Sequence, residues 1–413
     1  MSIIFFGISN ESHIGRHINK WISIAGTPDI FSERDDHVIK YQPKLLEKYE
    51  VISIDEALKR YPDADVWITY NKASKALKAA KFLAIKLSPE KIHFLQADLE
   101  YRKGCSYLGH FISYGEKTFS LCTVSGRKAN IKTEGSFHKR MEQWQDYTTK
   151  LIDDIRNERP NKCQNCHMLK YGFWDNTVKL TTLTLSSNRK GDACNFRCIY
   201  CFANKTLKRV KDEVDGPTTY EILQQLYEMS ELDTDEFTIR FSNGEFCVNK
   251  YCDEMLDILL KTKWKIELVS NSSVYRESLA TLMENGRIVK LITSLDAGTR
   301  ETFQKIKRND RFDKVVENLK RYPTSKTKLL LKYIFLEGVN DNEIDIDGFY
   351  EIVKEVSATV MFSSDLHYPY TEKMKELVLR IIKKAKADGI KVTNGNYLHP
   401  LDVKFVKENY ESI

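Results

Sequence analysis

From residue 178 to the C-terminus, short apolar runs and amphipathic runs alternate six times, and this alternation limits the chain's fold more than any other feature. The strand-type runs are 178–185, 237–241, 265–270, 289–294, 329–335 and 359–362. Helix-type runs at 218–232, 253–260, 273–286, 312–321, 343–356 and 372–388 lie between and after them. Parallel strands need such helical crossovers, so six units in series predict a partial (β/α)6 barrel. In barrels of this kind the chemistry sits at the C-terminal ends of the strands.

The first hundred residues alternate in the same way on a smaller scale. Strands are expected at 3–6, 51–54, 65–70 and 91–95, and helices at 14–25, 55–61 and 72–87. This pattern predicts a small Rossmann-like α/β domain over 1–100. The segment after its first strand keeps only Gly7 and Gly15, without the G-x-G-x-x-G spacing of a dinucleotide loop. Docking or substrate positioning is therefore the expected role. Residues 101–175 are less regular and cysteine-rich, and 176–413 form the barrel. The net charge of +6 is spread along 413 residues and reads as a solvated surface rather than a nucleic-acid footprint. The N-terminus lacks a basic, apolar and small-residue leader pattern, and no run reaches the ~18 apolar residues of a membrane helix. A cytoplasmic protein without a membrane partner is expected.

Nine cysteines occur, none before residue 105 or after 252. In a reducing compartment, an odd and clustered set reads as metal-binding rather than disulfide-forming. Directly after the first barrel strand comes Cys194-Asn195-Phe196-Arg197-Cys198-Ile199-Tyr200-Cys201, a C-x3-C-x2-C loop. Three such thiolates can hold three irons of a [4Fe–4S] cubane and leave the fourth iron open. A zinc knuckle or three buried thiols is the alternative.

This loop resembles that of the radical S-adenosylmethionine (SAM) superfamily, and further segments lie in matching order at later strand ends. Asn243-Gly244-Glu245 is similar to the family's Gly-Gly-Glu motif, which meets the methionine amino group, with Asn243 replacing the first glycine. Ser270-Asn271 falls where ribose and carboxylate contacts belong. Ser294-Leu295-Asp296-Ala297 resembles the Ser-Leu-Asp segment near the ribose. The stretch Tyr333 to Asp341, containing Val339, resembles the fifth-strand segment that borders the adenine, with Tyr200 beside it. The resemblance implies a radical SAM barrel holding a [4Fe–4S] cluster on Cys194, Cys198 and Cys201. It also implies SAM as cofactor, a 5′-deoxyadenosyl radical that abstracts substrate hydrogen, and an electron donor such as flavodoxin or ferredoxin.

Cys105, Cys122, Cys163 and Cys166 form a second set, ending in a C-x2-C pair. Their order is similar to the twitch or SPASM auxiliary-cluster segments of some superfamily members, although here it precedes the barrel. It implies a second [4Fe–4S] cluster, with structural zinc or unpaired core cysteines as alternatives. A charged helix is expected near 137–157, between the second and third of these cysteines. Cys247, two residues after Glu245, is a candidate hydrogen-atom donor, and His367 a candidate substrate contact. The expected reaction is oxidation of a sugar-like or other small molecule, with the auxiliary cluster accepting an electron. Epimerisation through Cys247 and peptide modification are the competing reactions, and a zinc-binding interaction protein is the non-enzymatic alternative.

Overall fold

The computed structural model describes residues 2–7, 11–33, 50–70, 73–95, 99–115, 118–122, 130–166, 168–185, 193–201, 217–242, 244–364, 368–394 and 399–411. They divide into two compact units. The first comprises the described residues of 1–110 and 141–179, and the second those of 111–123, 130–140 and 180–413.

In the first unit, β1 (Ile3–Phe6), β2 (Ile30–Glu33), β3 (Val51–Ser53), β4 (Asp65–Ile68) and β5 (Ile92–Phe94) form an all-parallel sheet in the order β3-β2-β1-β4-β5. This is the doubly wound arrangement. Side chains alternate between its faces. Ile4, Phe6, Val66 and Ile68 pack with Ala76, Ala79, Ala80 and Leu83 of the helix Ala73–Leu83. On the other face, Phe5 and Phe31 meet Trp21 of the helix Glu11–Ala25. β2 was absent from the expected strands because Ile30-Phe31-Ser32-Glu33 offers only two apolar residues in sequence. Gly7 ends β1 at φ +102°, and a Cβ there would lie 2.7 Å from the Tyr70 ring. β6 (Leu99–Gly104) and β10 (Lys170–Asp175) pair as a separate antiparallel ribbon in this unit.

The second unit is built on one ten-stranded sheet. It contains β7 (Phe111–Tyr114), β8 (Thr118–Ser120), β9 (Asn130–Lys132), β11 (Thr182–Leu185), β12 (Thr238–Phe241), β13 (Lys265–Val269), β14 (Ile288–Ser294), β15 (Lys328–Phe335), β16 (Thr359–Ser364) and β17 (Val392–Asn394). The six barrel strands expected from the sequence are β11 to β16, neighbours in chain order and parallel throughout. β17 adds a parallel strand beyond them.

The expected boundaries at 100 and 175 are not where the structure divides. β7 pairs in parallel with β11, Phe111 opposite Thr182, and carries β8 and β9 with it. The physical reason is the open edge of β11, whose backbone groups need a partner strand.

Each barrel strand has two unlike faces. Ile239, Leu268, Leu291, Leu331 and Tyr333 are buried on the helix-covered side. Arg240, Glu267, Lys290, Ser294 and Lys332 stand on the inner side and are only partly buried. Among the described residues no helix is long and apolar enough to cross a membrane.

The turn after β14 is held by a close backbone approach. A Cβ on Gly298 would collide with the Asp345 carbonyl and the Phe349 amide of the helix Glu343–Glu355. Neither is a flexible group that can move aside. Gly298→Ala is therefore expected to destabilise the fold by about 3 kcal/mol, the upper end of overpacking costs, read as a lower denaturant midpoint with an unchanged m-value.

Candidate functional site

The Cys194–Cys201 loop lies against the end of the helix Arg300–Lys307, whose last carbonyls have no partner within the helix. The Arg197 amide donates to the Lys307 carbonyl at 3.0 Å and the Ile199 amide to the Ile306 carbonyl at 2.9 Å. Asn309 Nδ2 donates to the Asn195 carbonyl at 3.2 Å, and Phe196 packs edge-on against Phe303. Cys194, Cys198 and Cys201 are all half-buried. Burial pushes the Cys194 thiol up to about 11 and raises Cys198 too, against the opposing pull of the Lys307 ammonium.

A second set of contacts ties the loop to β12 and β13. The Glu245 amide donates to the Ala193 carbonyl at 2.6 Å. Gly244, at φ +62°, brings the chain so close that a Cβ would sit 2.9 Å from that carbonyl oxygen. This approach and the left-handed backbone explain the glycine. The Glu245 carboxylate is 2% exposed. It accepts from Ser270 Oγ at 2.7 Å, from the Cys247 amide at 3.2 Å and from the Asn271 amide. Burial pushes the Glu245 carboxyl above the usual carboxylate pKa range, while these donors oppose the rise. Asn271 Nδ2 in turn lies 2.8 Å from Asn195 Oδ1 and 3.9 Å from Cys194 Sγ. Asn243 lies outside the described residues.

The third set centres on Asp296, fully buried at φ +62°. Its Oδ1 accepts from the Ile334 amide at 2.8 Å, and its Oδ2 from Tyr200 Oη at 2.6 Å and from Lys307 Nζ. Lys307 Nζ also donates to Tyr200 Oη at 2.8 Å. Burial, with the Asp296 charge next, raises the Tyr200 phenol well above its ordinary value. Asn340 Nδ2 donates to the carbonyls of Asp296 and Ile334, both at 2.8 Å. Ile199, Tyr200 and Val339 pack with Ile306, Ile334 and Leu336. Beside them opens a cavity of about 350 Å³, lined by Tyr200, Leu336, Val339, Tyr368, Tyr370 and Met374 among others. Ser294 ends β14 half-buried on the inner face.

The structure thus brings Tyr200, Asp296 and Val339 together, and separately Cys194, Glu245, Ser270 and Asn271. Sequence reasoning missed Lys307 and Asn340. Lys307 sits at the end of a strongly charged helix, where a lysine reads as solvent-facing.

Cys247, expected to offer a hydrogen atom at the barrel mouth, is placed differently. It is 1% exposed in the turn Phe246–Val248, and its thiol hydrogen-bonds to that of Cys252, also 1% exposed. The turn directs this side chain into the protein interior, not to the open face. His367 lies outside the described residues.

Cys105, Cys163 and Cys166 belong to the first unit and Cys122 to the second, and all four are half-buried. Cys163 and Cys166 share a tight turn, with the Cys166 amide donating to the Cys163 carbonyl at 3.0 Å and Asn165 at φ +63°. Among the described residues no three His, Cys, Asp or Glu side chains are grouped to hold a single metal ion.

Residues 189–348 match the Radical SAM superfamily. The superfamily's cofactors are a [4Fe–4S] cluster and SAM. The chain is also similar to several curated proteins. A GTP 3′,8-cyclase of Nautilia profundicola is 26% identical over 202 residues, covering 47% of this chain and 61% of the relative. A GTP 3′,8-cyclase of Chlorobaculum tepidum is 30% identical over 173 residues, covering 41% and 50%. Molybdenum cofactor biosynthesis protein moc-5 of Caenorhabditis elegans is 28% identical over 185 residues, covering 44% and 29%. The chain spans about half the length of the first curated relatives it matches. Streptococcus suis SuiB bound to S-adenosylmethionine overlays with a TM-score of 0.41 at 10% identity, covering 64% of this chain and 54% of SuiB, a likeness on which nothing below rests.

The donor set fits these cofactors. Three half-buried thiols share one pinned loop, the Gly244 approach leaves no room for a side chain, and the apolar cavity beside Tyr200 suits a flat ring.

Asp296→Ala would leave the Lys307 ammonium buried without its carboxylate. Breaking a buried pair from one side costs about 3–5 kcal/mol. The expected outcome is a loss of that size in chemical denaturation. Asp296→Ala with Lys307→Met should recover part of it, because the orphaned charge is then gone.

Proposed function

We propose that the chain is a radical SAM enzyme that oxidises a small substrate bound on the inner face of its barrel. The observation that carries this reading is the pinned C-x3-C-x2-C loop, with its thiols between the Glu245–Asn271 and Asp296–Lys307 contacts. Cys194, Cys198 and Cys201 would hold the [4Fe–4S] cluster. When bound, the cluster and SAM supply a 5′-deoxyadenosyl radical that removes a hydrogen atom from the substrate.

The chain's own residues bind and orient. Glu245 fixes Ser270 and Asn271 at the end of β13, where the methionine and ribose groups would be received. Tyr200, Leu336 and Val339 form an apolar wall for the adenine and keep water from it. Lys307 and Asp296 lock the cysteine loop to β14.

The pair Cys163 and Cys166, within the first unit, is assigned to a second [4Fe–4S] cluster that accepts an electron from the substrate. The tight Cys163–Cys166 turn supports a metal role for that pair. A flavodoxin or ferredoxin would supply the first electron. Epimerisation through Cys247 is set aside because the buried thiol has no open path to substrate. The names of the relatives favour a second reading, in which the substrate is GTP and the product a cyclised nucleotide.

Anaerobically reconstituted protein is expected to convert SAM to 5′-deoxyadenosine under dithionite, and Cys198→Ala to lose this activity. The absence of 5′-deoxyadenosine from the wild type would overturn the assignment. Iron analysis should give about eight irons per chain in the wild type and about four in Cys163→Ala. About four in both would remove the second cluster. Mass spectrometry after turnover with GTP separates the two substrate readings: a cyclised product favours the second, and unchanged GTP the first.

A further inference from the structure

Among the described residues, the inner-face strand side chains Arg240, Lys290 and Lys332 accompany one strand carboxylate, Glu267. Strand register sets Arg240, Glu267 and Lys290 side by side across β12, β13 and β14. Arg240 Nε and Lys290 Nζ each lie 2.9 Å from one Glu267 oxygen, so two cations share one anion. Further along, Lys332 of β15 stands opposite Ser294 on the same face. Its neighbours Leu331 and Tyr333 are fully buried on the other side of the sheet.

The Lys332 side chain makes no hydrogen bond or ion pair among the described residues, while its carbonyl accepts from the Leu295 and Asp296 amides. The Asp296 carboxylate is engaged by other donors: Oδ1 by the Ile334 amide, Oδ2 by Tyr200 and Lys307. Burial pulls the Lys332 ammonium below its ordinary value, against the opposing pull of Asp296. The Lys332 side chain is partly buried on the inner face with no ion pair of its own, an arrangement that an anion would complete. Such residues in clefts mark functional sites.

Resting on the reading of this barrel as a radical SAM site, we propose that Lys332 is a specificity-determining residue that binds an oxyanion of the substrate, a carboxylate or a phosphate. Ser270 and Asn271 follow the end of β13, two strands away, where the cofactor's own carboxylate is expected. The shared Glu267 pair adds a second surplus positive charge on the same face, which favours a substrate that is anionic overall.

The test is calorimetric titration of the holoprotein with inorganic phosphate, with and without saturating SAM. Three forms are compared: wild type, Lys332→Met and Lys332→Arg. Phosphate should bind the wild type equally well with and without SAM. Lys332→Met should weaken it about tenfold or more, the loss of one charge-assisted hydrogen bond. Lys332→Arg should keep most of the affinity. Lys290→Met removes a cation already spent on Glu267 and should change affinity less than twofold, which separates a local site from general charge loss. Equal binding by wild type and Lys332→Met would overturn the proposal. Loss of phosphate binding when SAM is added would also overturn it, because the ammonium would then serve the cofactor. A wild type that binds phosphate but never yields 5′-deoxyadenosine would sink the functional reading while leaving the anion site standing.

Discussion

The buried ion pair between Lys307 and Asp296 is the contact on which the rest of the site depends. The two side chains are 2% and 0% exposed, so both charges have left water at a cost of several kcal/mol each. They are kept by the hydrogen bonds around them, from Tyr200 and the Ile334 amide. Pairs of this kind add little net stability over an apolar core, but their geometry is exacting. Here that geometry joins three distant pieces of chain: the cysteine loop through Tyr200, the end of β14 through Asp296, and the helix Arg300–Lys307. The same helix end receives the Arg197 and Ile199 amides, so one element fixes both the backbone and a side chain of the loop.

Glu245 plays the matching part on the other side of the loop. Its buried carboxylate binds donors from β13 and from its own turn, while its amide holds the chain just before Cys194. Asn340 and Asp345 extend the scheme to later strand ends: Asn340 joins the Asp296 and Ile334 carbonyls, and Asp345 receives Thr299 and Thr302. Buried polar groups with complete sets of partners make a rigid frame, which a radical reaction needs to hold its reactants apart from water. On the inner face between them Lys290, Ser294 and Lys332 are only partly buried.

The parts of this arrangement with a local signal were legible in the sequence. Strand and helix periodicity located β11 to β16, and the helix Phe312–Arg321 falls where the pattern placed it. The spacing of Cys194, Cys198 and Cys201, and the turns at Glu245, Asn271 and Asp296, marked the strand ends that converge. What escaped depends on long-range pairing. β7 lies in a cysteine-rich stretch with no barrel-like crossover before it, yet it completes the edge of β11. Lys307 looks like an exposed helix residue until the loop folds over it, 107 positions away at Tyr200. The sequence spacing to Glu245 points Cys247 to the barrel mouth, but the turn Phe246–Val248 buries it.

The central claim is that the pinned cysteine loop presents an iron without a protein ligand, to which SAM binds. Electron paramagnetic resonance of the dithionite-reduced holoprotein, recorded with and without SAM, tests it most directly. The account predicts that SAM shifts the g-values of the cluster signal in the wild type, with the shift absent in Cys198→Ala. A wild-type spectrum unchanged by saturating SAM would contradict it.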